Sequence, residues 1–109
     1  MLRGDIVTVA AGTGYAGKPR PAVIVQAYGF EHTPSLVVCP LTSDEVNASL
    51  IRLFVEPSTQ NGLRKPSWIM VESIVAVRRD KVGKQVGQLA ADDLTRLNRA
   101  LIVFLGLAG

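Results

Sequence analysis

The chain from Pro21 to Thr42 reads "PAVIVQAYGFEHTPSLVVCPLT". Its two ends, Pro21 to Ala27 and Ser35 to Thr42, are nearly continuous apolar runs rich in β-branched residues. The seven residues between them, "YGFEHTP", carry turn chemistry. Runs of this kind belong to central strands covered on both faces, and the short connection makes them an antiparallel pair. Immediately before the first run stands "GKPR", Gly17 to Arg20. Pro19 and Pro21 fix their own φ and keep Lys18 and Arg20 out of the helical region, so a guanidinium sits at the mouth of a buried strand on a stiff backbone.

Outward from this pair the pattern stays β. "DIVTVA", Asp5 to Ala10, is a short β-branched strand. "AGTGYAGKP" follows, with Gly12, Gly14 and Gly17 giving too much backbone freedom for a helix or a strand, so it reads as a flexible loop. In "ASLIRLFVEP", Ala48 to Pro57, Leu50, Arg52, Phe54 and Glu56 alternate with Ile51, Leu53 and Val55, a period of two with one wetter side. Asn61-Gly62 is a turn signal, and "SWIMVESIVAV", Ser67 to Val77, reads as one further long strand.

The period changes near the end. Leu94, Leu97, Leu101, Phe104 and Leu105 form one helical stripe, Asp92 and Asp93 lie where a helix dipole favours negative charge, and Gly106 and Gly109 are stop signals. About five strands followed by one helix predict an α+β chain that is mainly β: a small open barrel of antiparallel strands with a C-terminal helix plugging or flanking it.

At 109 residues the chain is expected to form a single domain over 1–109. An apolar fraction of 48% is rich for so small a monomer and favours a dimer or a standing protein partner. Twelve Lys and Arg against nine Asp and Glu give a net charge of +3, a balance that suits a polyanion such as nucleic acid. One cysteine excludes an internal disulfide framework, and Cys39 lies in an apolar run where a small buried thiol is the ordinary reading. With no signal-peptide pattern and no membrane-length apolar run, the expectation is a soluble cytoplasmic protein without membrane association.

The single His32, in "FEHTP", and the absence of clustered carboxylates give no metal site and no His-assisted nucleophile. "GTGYAG" precedes a proline and a strand rather than a helix, so it is not a nucleotide loop. What remains is Arg20 at a strand start and the hydroxyl pair Thr42-Ser43 at a strand end. A guanidinium beside hydroxyls suits a phosphodiester. Two bland readings stand next to this one: Arg20 as a strand-edge surface charge, and Thr42-Ser43 as a turn whose hydroxyls cap local backbone.

Taken together and in order, "RGDIVTV", "GKPRPAVIVQ", "VVCPLTS", "ESIVAVRRDKVGKQVGQL" and "LTRLNRALIVFLGL" resemble the MazF/PemK family of toxins from bacterial toxin-antitoxin pairs, over essentially the whole chain. The resemblance implies an SH3-like barrel, a homodimer, and sequence-specific, metal-independent and cofactor-free cleavage of single-stranded RNA, chiefly mRNA. It also implies inhibition by a cognate antitoxin and DNA binding by the toxin-antitoxin complex. By the same resemblance the catalytic arginine falls on Arg20 and the catalytic Thr/Ser on Thr42. The 2′-OH would attack the adjacent phosphorus and leave a cyclic phosphate and a 5′-hydroxyl.

Glu72 is a candidate general base, its alternative being a solvent-facing strand carboxylate. Lys18, Ser43, Arg64, Lys65, Arg78 and Arg79 are candidate RNA contacts, though each cation taken singly also reads as a solvated charge. Trp68 reads as a base-stacking ring or as a half-buried aromatic at a strand start or dimer seam. Two departures from the family pattern are visible: the first loop holds Tyr15 but no histidine, and Val75 stands where many members carry Arg or Lys. Two other functions fit the same barrel, a non-enzymatic toxin that binds DNA gyrase and a catalytically lapsed RNA-binding domain. The ending "FLGLAG" has no terminal Trp of the gyrase-binding kind and favours the nuclease.

Overall fold

A computed structural model describes residues 1–10, 18–48 and 50–109; the glycine-rich stretch 11–17, read from the sequence as a flexible loop, lies outside the described residues. The described residues form seven strands, β1 (Asp5–Val9), β2 (Arg20–Ile24), β3 (Ser35–Thr42), β4 (Arg52–Val55), β5 (Ser67–Met70), β6 (Val75–Arg78) and β7 (Val82–Gln88), followed by helix α1 (Ala91–Phe104). The sheet order is β4-β5-β3-β2-β1-β7, with β6 also on β3. The expected antiparallel pair is the centre of this sheet, with Ala22, Val23 and Ile24 of β2 opposite Pro40, Cys39 and Val38 of β3.

Both faces of that pair are buried, as its continuous apolar pattern demands. Val23, Cys39 and Leu41 point to a core shared with Ile6, Leu53, Val55, Ile69 and the helix residues Leu97 and Leu101. Alternate residues Ala22, Ile24, Leu36 and Val38 point the other way, joining Val7 and Val9 in a second core flanked by Val77 and Val82. Two cores on one sheet require the sheet to coil on itself, which is the expected open barrel.

The expected single strand Ser67 to Val77 is divided. A 3₁₀ turn at Val71–Ser73 separates β5 from β6, and the two halves lie one after the other on the same edge of β3, β5 against Leu41 and Thr42 and β6 against Ser35 to Val38. The break falls where β3 offers Cys39 and Pro40, and a proline has no N–H for a ladder. The turn buries Val71, whose N–H bonds to the Ile51 carbonyl at 2.9 Å.

β7 was also not anticipated, because "VGKQVGQ" is polar and carries two glycines. The glycines are there for close approach. A Cβ on Gly83 would stand 2.3 Å from Thr8 Oγ1 of β1, and one on Gly87 would stand 2.3 Å from the Asn61 carbonyl. Gln88 donates its backbone N–H to the Gln60 carbonyl at 2.9 Å, so the loop after β4 abuts β7.

Helix α1 buries Leu97, Ala100 and Leu101 on the first core, with Asp92 and Asp93 in its first turn as expected. The stripe ends earlier than its sequence implied. Phe104 and Leu105 are exposed, and Gly106, at φ +75°, closes the helix with the Leu107 N–H on the Ile102 carbonyl. Among the described residues no helix is long and apolar enough to cross a membrane.

Cys39 is fully buried, and its pKa is pushed up to about 12, first by burial and then by the nearby Glu72 charge, against a lowering by Arg3. The native protein is therefore expected to resist iodoacetamide at mildly alkaline pH and to alkylate readily once unfolded in urea, as mass spectrometry would report.

Candidate functional site

Arg20 opens β2 and Thr42 closes β3. Continuing the β2–β3 register two residues beyond Ala22 and Pro40 sets Arg20 directly across from Thr42. Opposed residues of an antiparallel pair project on the same face, so the guanidinium and the hydroxyl leave the sheet together. Both side chains are half-buried. Thr42 Oγ1 accepts the Asp44 backbone N–H at 3.1 Å. The bland reading of this hydroxyl as a local cap is thus realised. The same bond leaves the hydroxyl hydrogen directed away from Asp44, available to an external acceptor.

Two clefts meet at these residues. The first, of about 410 Å³, is lined by Arg20, Arg64, Lys65 and Lys84 with the hydroxyl residues Thr8, Thr42, Ser43 and Ser67, and no acidic residue is among its described lining. Four cations over one concavity set up a field that concentrates a polyanion. The second, of about 550 Å³, is mainly apolar, with Val9, Pro40, Met70, Val75 and Val77, plus Asp44, Arg52 and Ser73. Arg20, Leu41 and Thr42 belong to both.

Of the residues singled out from sequence, the fold brings Arg20, Thr42, Ser43, Arg64 and Lys65 to one cleft. Lys18 is exposed two residues before β2 and is not among the described lining of either cleft. Arg78 lies opposite Ser35, at the far end of β3 from Thr42, and pairs with Asp80 at 2.9 Å. Arg79 donates to the backbone carbonyls of Glu31 and Thr33, fastening the β2–β3 connection. Lys84 and Thr8 joined the site unannounced. The Lys84 backbone N–H donates to Thr8 Oγ1 at 3.1 Å, a contact that depends on the unforeseen pairing of β7 with β1.

Glu72 is held in a bidentate ion pair. Arg52 Nε reaches Oε1 at 2.6 Å and Arg52 Nη2 reaches Oε2 at 3.3 Å, while Ser73 Oγ donates to Oε2 at 2.6 Å. Partial burial alone would raise its pKa. The hydrogen bonds from Arg52 and Ser73 and the Arg52 charge outweigh that, and the net shift is downward from 4.5. A carboxylate engaged at both oxygens and made more acidic is poorly suited to accept a proton, which weighs against a general base and for a strut holding Arg52 at the edge of the second cleft.

A depressed folded-state pKa means that the pair's contribution is present above the unfolded value near 4.5 and fades as pH falls through the folded value. Glu72→Gln is accordingly expected to lower stability at neutral pH and to flatten the loss of stability on the acid side of pH 4.5, measured by urea unfolding across pH.

A small coiled β-sheet with one terminal helix is a fold this chain shares with solved structures. The chain is similar to an endoribonuclease in complex with its cognate antitoxin from mycobacterial species, with a TM-score of 0.81 and 24% identity over 98% of this chain and 96% of that one. It is also similar to the MazE-MazF structure from Deinococcus radiodurans, with a TM-score of 0.79 and 18% identity over 97% of this chain and 95% of that one.

The chain belongs to the family of PemK-like, MazF-like toxins of type II toxin-antitoxin systems, whose model matches residues 2–105. It is 44% identical, over the whole length of both chains, to the probable endoribonuclease MazF of Mycolicibacterium smegmatis.

Proposed function

We propose that this toxin is a sequence-specific endoribonuclease acting on single-stranded RNA, chiefly mRNA, with Arg20 and Thr42 holding the scissile phosphate. The observation that carries the reading is that Arg20 and Thr42 both line the two clefts where these meet, one of them cationic. The full-length similarity to a probable endoribonuclease supports it.

In the proposed reaction the 2′-oxygen forms a bond to the adjacent phosphorus while the bond from phosphorus to the 5′-oxygen breaks. The 2′-OH proton passes to a base and a proton is delivered to the departing 5′-oxygen, leaving a 2′,3′-cyclic phosphate and a 5′-hydroxyl. Negative charge builds on the non-bridging oxygens along this path, and the Arg20 guanidinium meets it with fixed donors. Thr42 donates its hydroxyl to one of those oxygens, its own oxygen being held by the Asp44 N–H. Arg64, Lys65 and Lys84 carry the flanking phosphates.

The toxin acts as a homodimer and is neutralised by a cognate antitoxin. Exposed apolar residues at the end of α1, Ile102, Val103, Phe104, Leu105 and Leu107, supply surface for such partners.

The purified protein is expected to cut single-stranded RNA in the presence of EDTA, and a single 2′-deoxy substitution at the cut nucleotide is expected to abolish the cut. Cleavage of the 2′-deoxy substrate at the original rate would exclude 2′-OH attack, and a requirement for added metal would exclude the metal-free path. Both are read by gel analysis of end-labelled RNA.

A further inference from the structure

The row of residues that contains Arg20 and Thr42 does not stop at Thr42. On the far side of β3, Thr42 is paired with Trp68 of β5, and Trp68 is paired with Phe54 of β4. Directly opposed residues share a face at every step, so Arg20, Thr42, Trp68 and Phe54 form one line of side chains across four strands, all on the same side of the sheet. At the usual strand spacing Trp68 stands about 5 Å and Phe54 about 10 Å beyond Thr42. The two rings are 5.2 Å apart between centroids and tilted by 56°, so they do not cover one another face to face. Trp68 is half-buried, and Phe54 keeps 40% of its surface exposed despite lying mid-strand.

We infer that Phe54 and Trp68 form a stacking ledge for the base of a nucleotide flanking the scissile phosphate, an inference that rests on the RNA-cleavage reading above. A phosphate gripped by Arg20 and Thr42 leaves its neighbouring base within the reach of one or two strands, and the aromatic pair is what the sheet presents there. The surroundings select a nucleic acid as occupant. Lys65 is three residues before Trp68 and lines the cationic cleft, and Arg52, paired with Glu72, lies two residues from Phe54 on the same face. An apolar ring surface beside a cationic cleft and in line with the proposed phosphate grip matches the alternation of base and phosphate along a single strand. The ledge contributes to choice of substrate through stacking strength and does not take part in the bond-breaking step.

Trp68 is the single tryptophan of the chain, so its emission reports on the ledge directly. The probe is a short single-stranded RNA containing the mapped cut site, with a 2′-O-methyl group at the cut nucleotide so that it binds uncut. Adding it to the intact protein is expected to quench Trp68. Phe54→Ala is expected to weaken binding of this RNA about tenfold and to raise KM more than it lowers kcat. An RNA lacking one base beside the cut is expected to show the same loss with the unsubstituted protein and little further loss with Phe54→Ala, a coupling that a purely structural role would not produce. Trp68→Phe, which keeps a ring, is expected to retain most of the affinity.

The inference is overturned if the unsubstituted protein cuts the RNA while Trp68 emission stays unchanged and Phe54→Ala matches it in KM. It is also overturned if Phe54→Ala converts a dimer to a monomer by sedimentation, which would make the ledge a contact between copies of this chain. Absence of any RNA cutting by the unsubstituted protein would instead remove the reading on which the ledge rests, and the ledge with it.

Discussion

Replacing Arg20 with alanine is expected to lower kcat/KM for single-stranded RNA by about 10³-fold while leaving the fold unchanged. Arg20 is half-buried at a strand start, its backbone held between Pro19 and Pro21, and it lines both clefts. Among the described residues it is the one arginine lining both clefts, so its loss would remove the principal charge facing the proposed phosphorane. Most of the effect should fall on kcat, because Arg64, Lys65 and Lys84 remain on the cleft wall, where flanking phosphates are proposed to bind. Arg20→Lys is expected to recover little, since a point-like ammonium cannot reproduce a two-pronged grip on two phosphate oxygens. Thr42→Ala should cost less, because a neutral hydroxyl contributes one hydrogen bond. Steady-state cleavage assays with circular dichroism of each variant decide the matter; undiminished cutting by Arg20→Ala would remove the arginine from the mechanism.

The second large effect is structural and acts through the backbone of the loop after β4. Gly87→Ala would set a methyl group 2.3 Å from the backbone C and O of Asn61 and 2.6 Å from the Gln60 oxygen. Those atoms belong to a backbone that cannot swing aside as a side chain would. Asn61 is itself buried and bonded on all sides, accepting the Ser58 and Leu63 N–H groups and donating to the Glu56 carbonyl at 2.8 Å.

We expect a loss of about 3 kcal/mol in unfolding free energy by urea titration. RNA affinity should fall as well, because the displaced loop carries Gly62, Leu63, Arg64 and Lys65, one wall of the cationic cleft. A variant of unchanged stability would show that the loop and β7 are not held in contact. Gly62→Ala meets a similar obstruction, 2.0 Å from the Val86 oxygen, with the added strain of φ +69°.

The two effects differ in how much of them the amino-acid order discloses. Arg20 is legible as a candidate because its setting is local: two prolines, a charge and an apolar run are neighbours in the chain, and their consequences for φ follow without any long-range contact. The leucine spacing of α1 and the two-sided burial of β2 and β3 are local in the same sense, because period and hydrophobicity need only a few residues to register. Gly87 is different. Nothing adjacent explains why "VGKQVGQ" should be a strand, since its glycines answer to Thr8 and Asn61, distant in sequence and adjacent only after pairing.

The order of residues by itself therefore determined the antiparallel centre, the terminal helix, the stiff placement of Arg20 and the joint candidacy of Arg20 with the Thr42 hydroxyl. Tertiary structure decided what depends on register. It brought Arg20 and Thr42 together where the two clefts meet, divided Ser67 to Val77 at the proline gap of β3, brought Lys84 to the cationic cleft, sent Arg78 to the opposite end of β3, and tied Glu72 to Arg52. It also carried the row on to Trp68 and Phe54. The physical reason is that strand pairing is cooperative over the whole sheet. Which residues face one another is set by the sum of buried contacts on both faces, and no short window of sequence contains that sum.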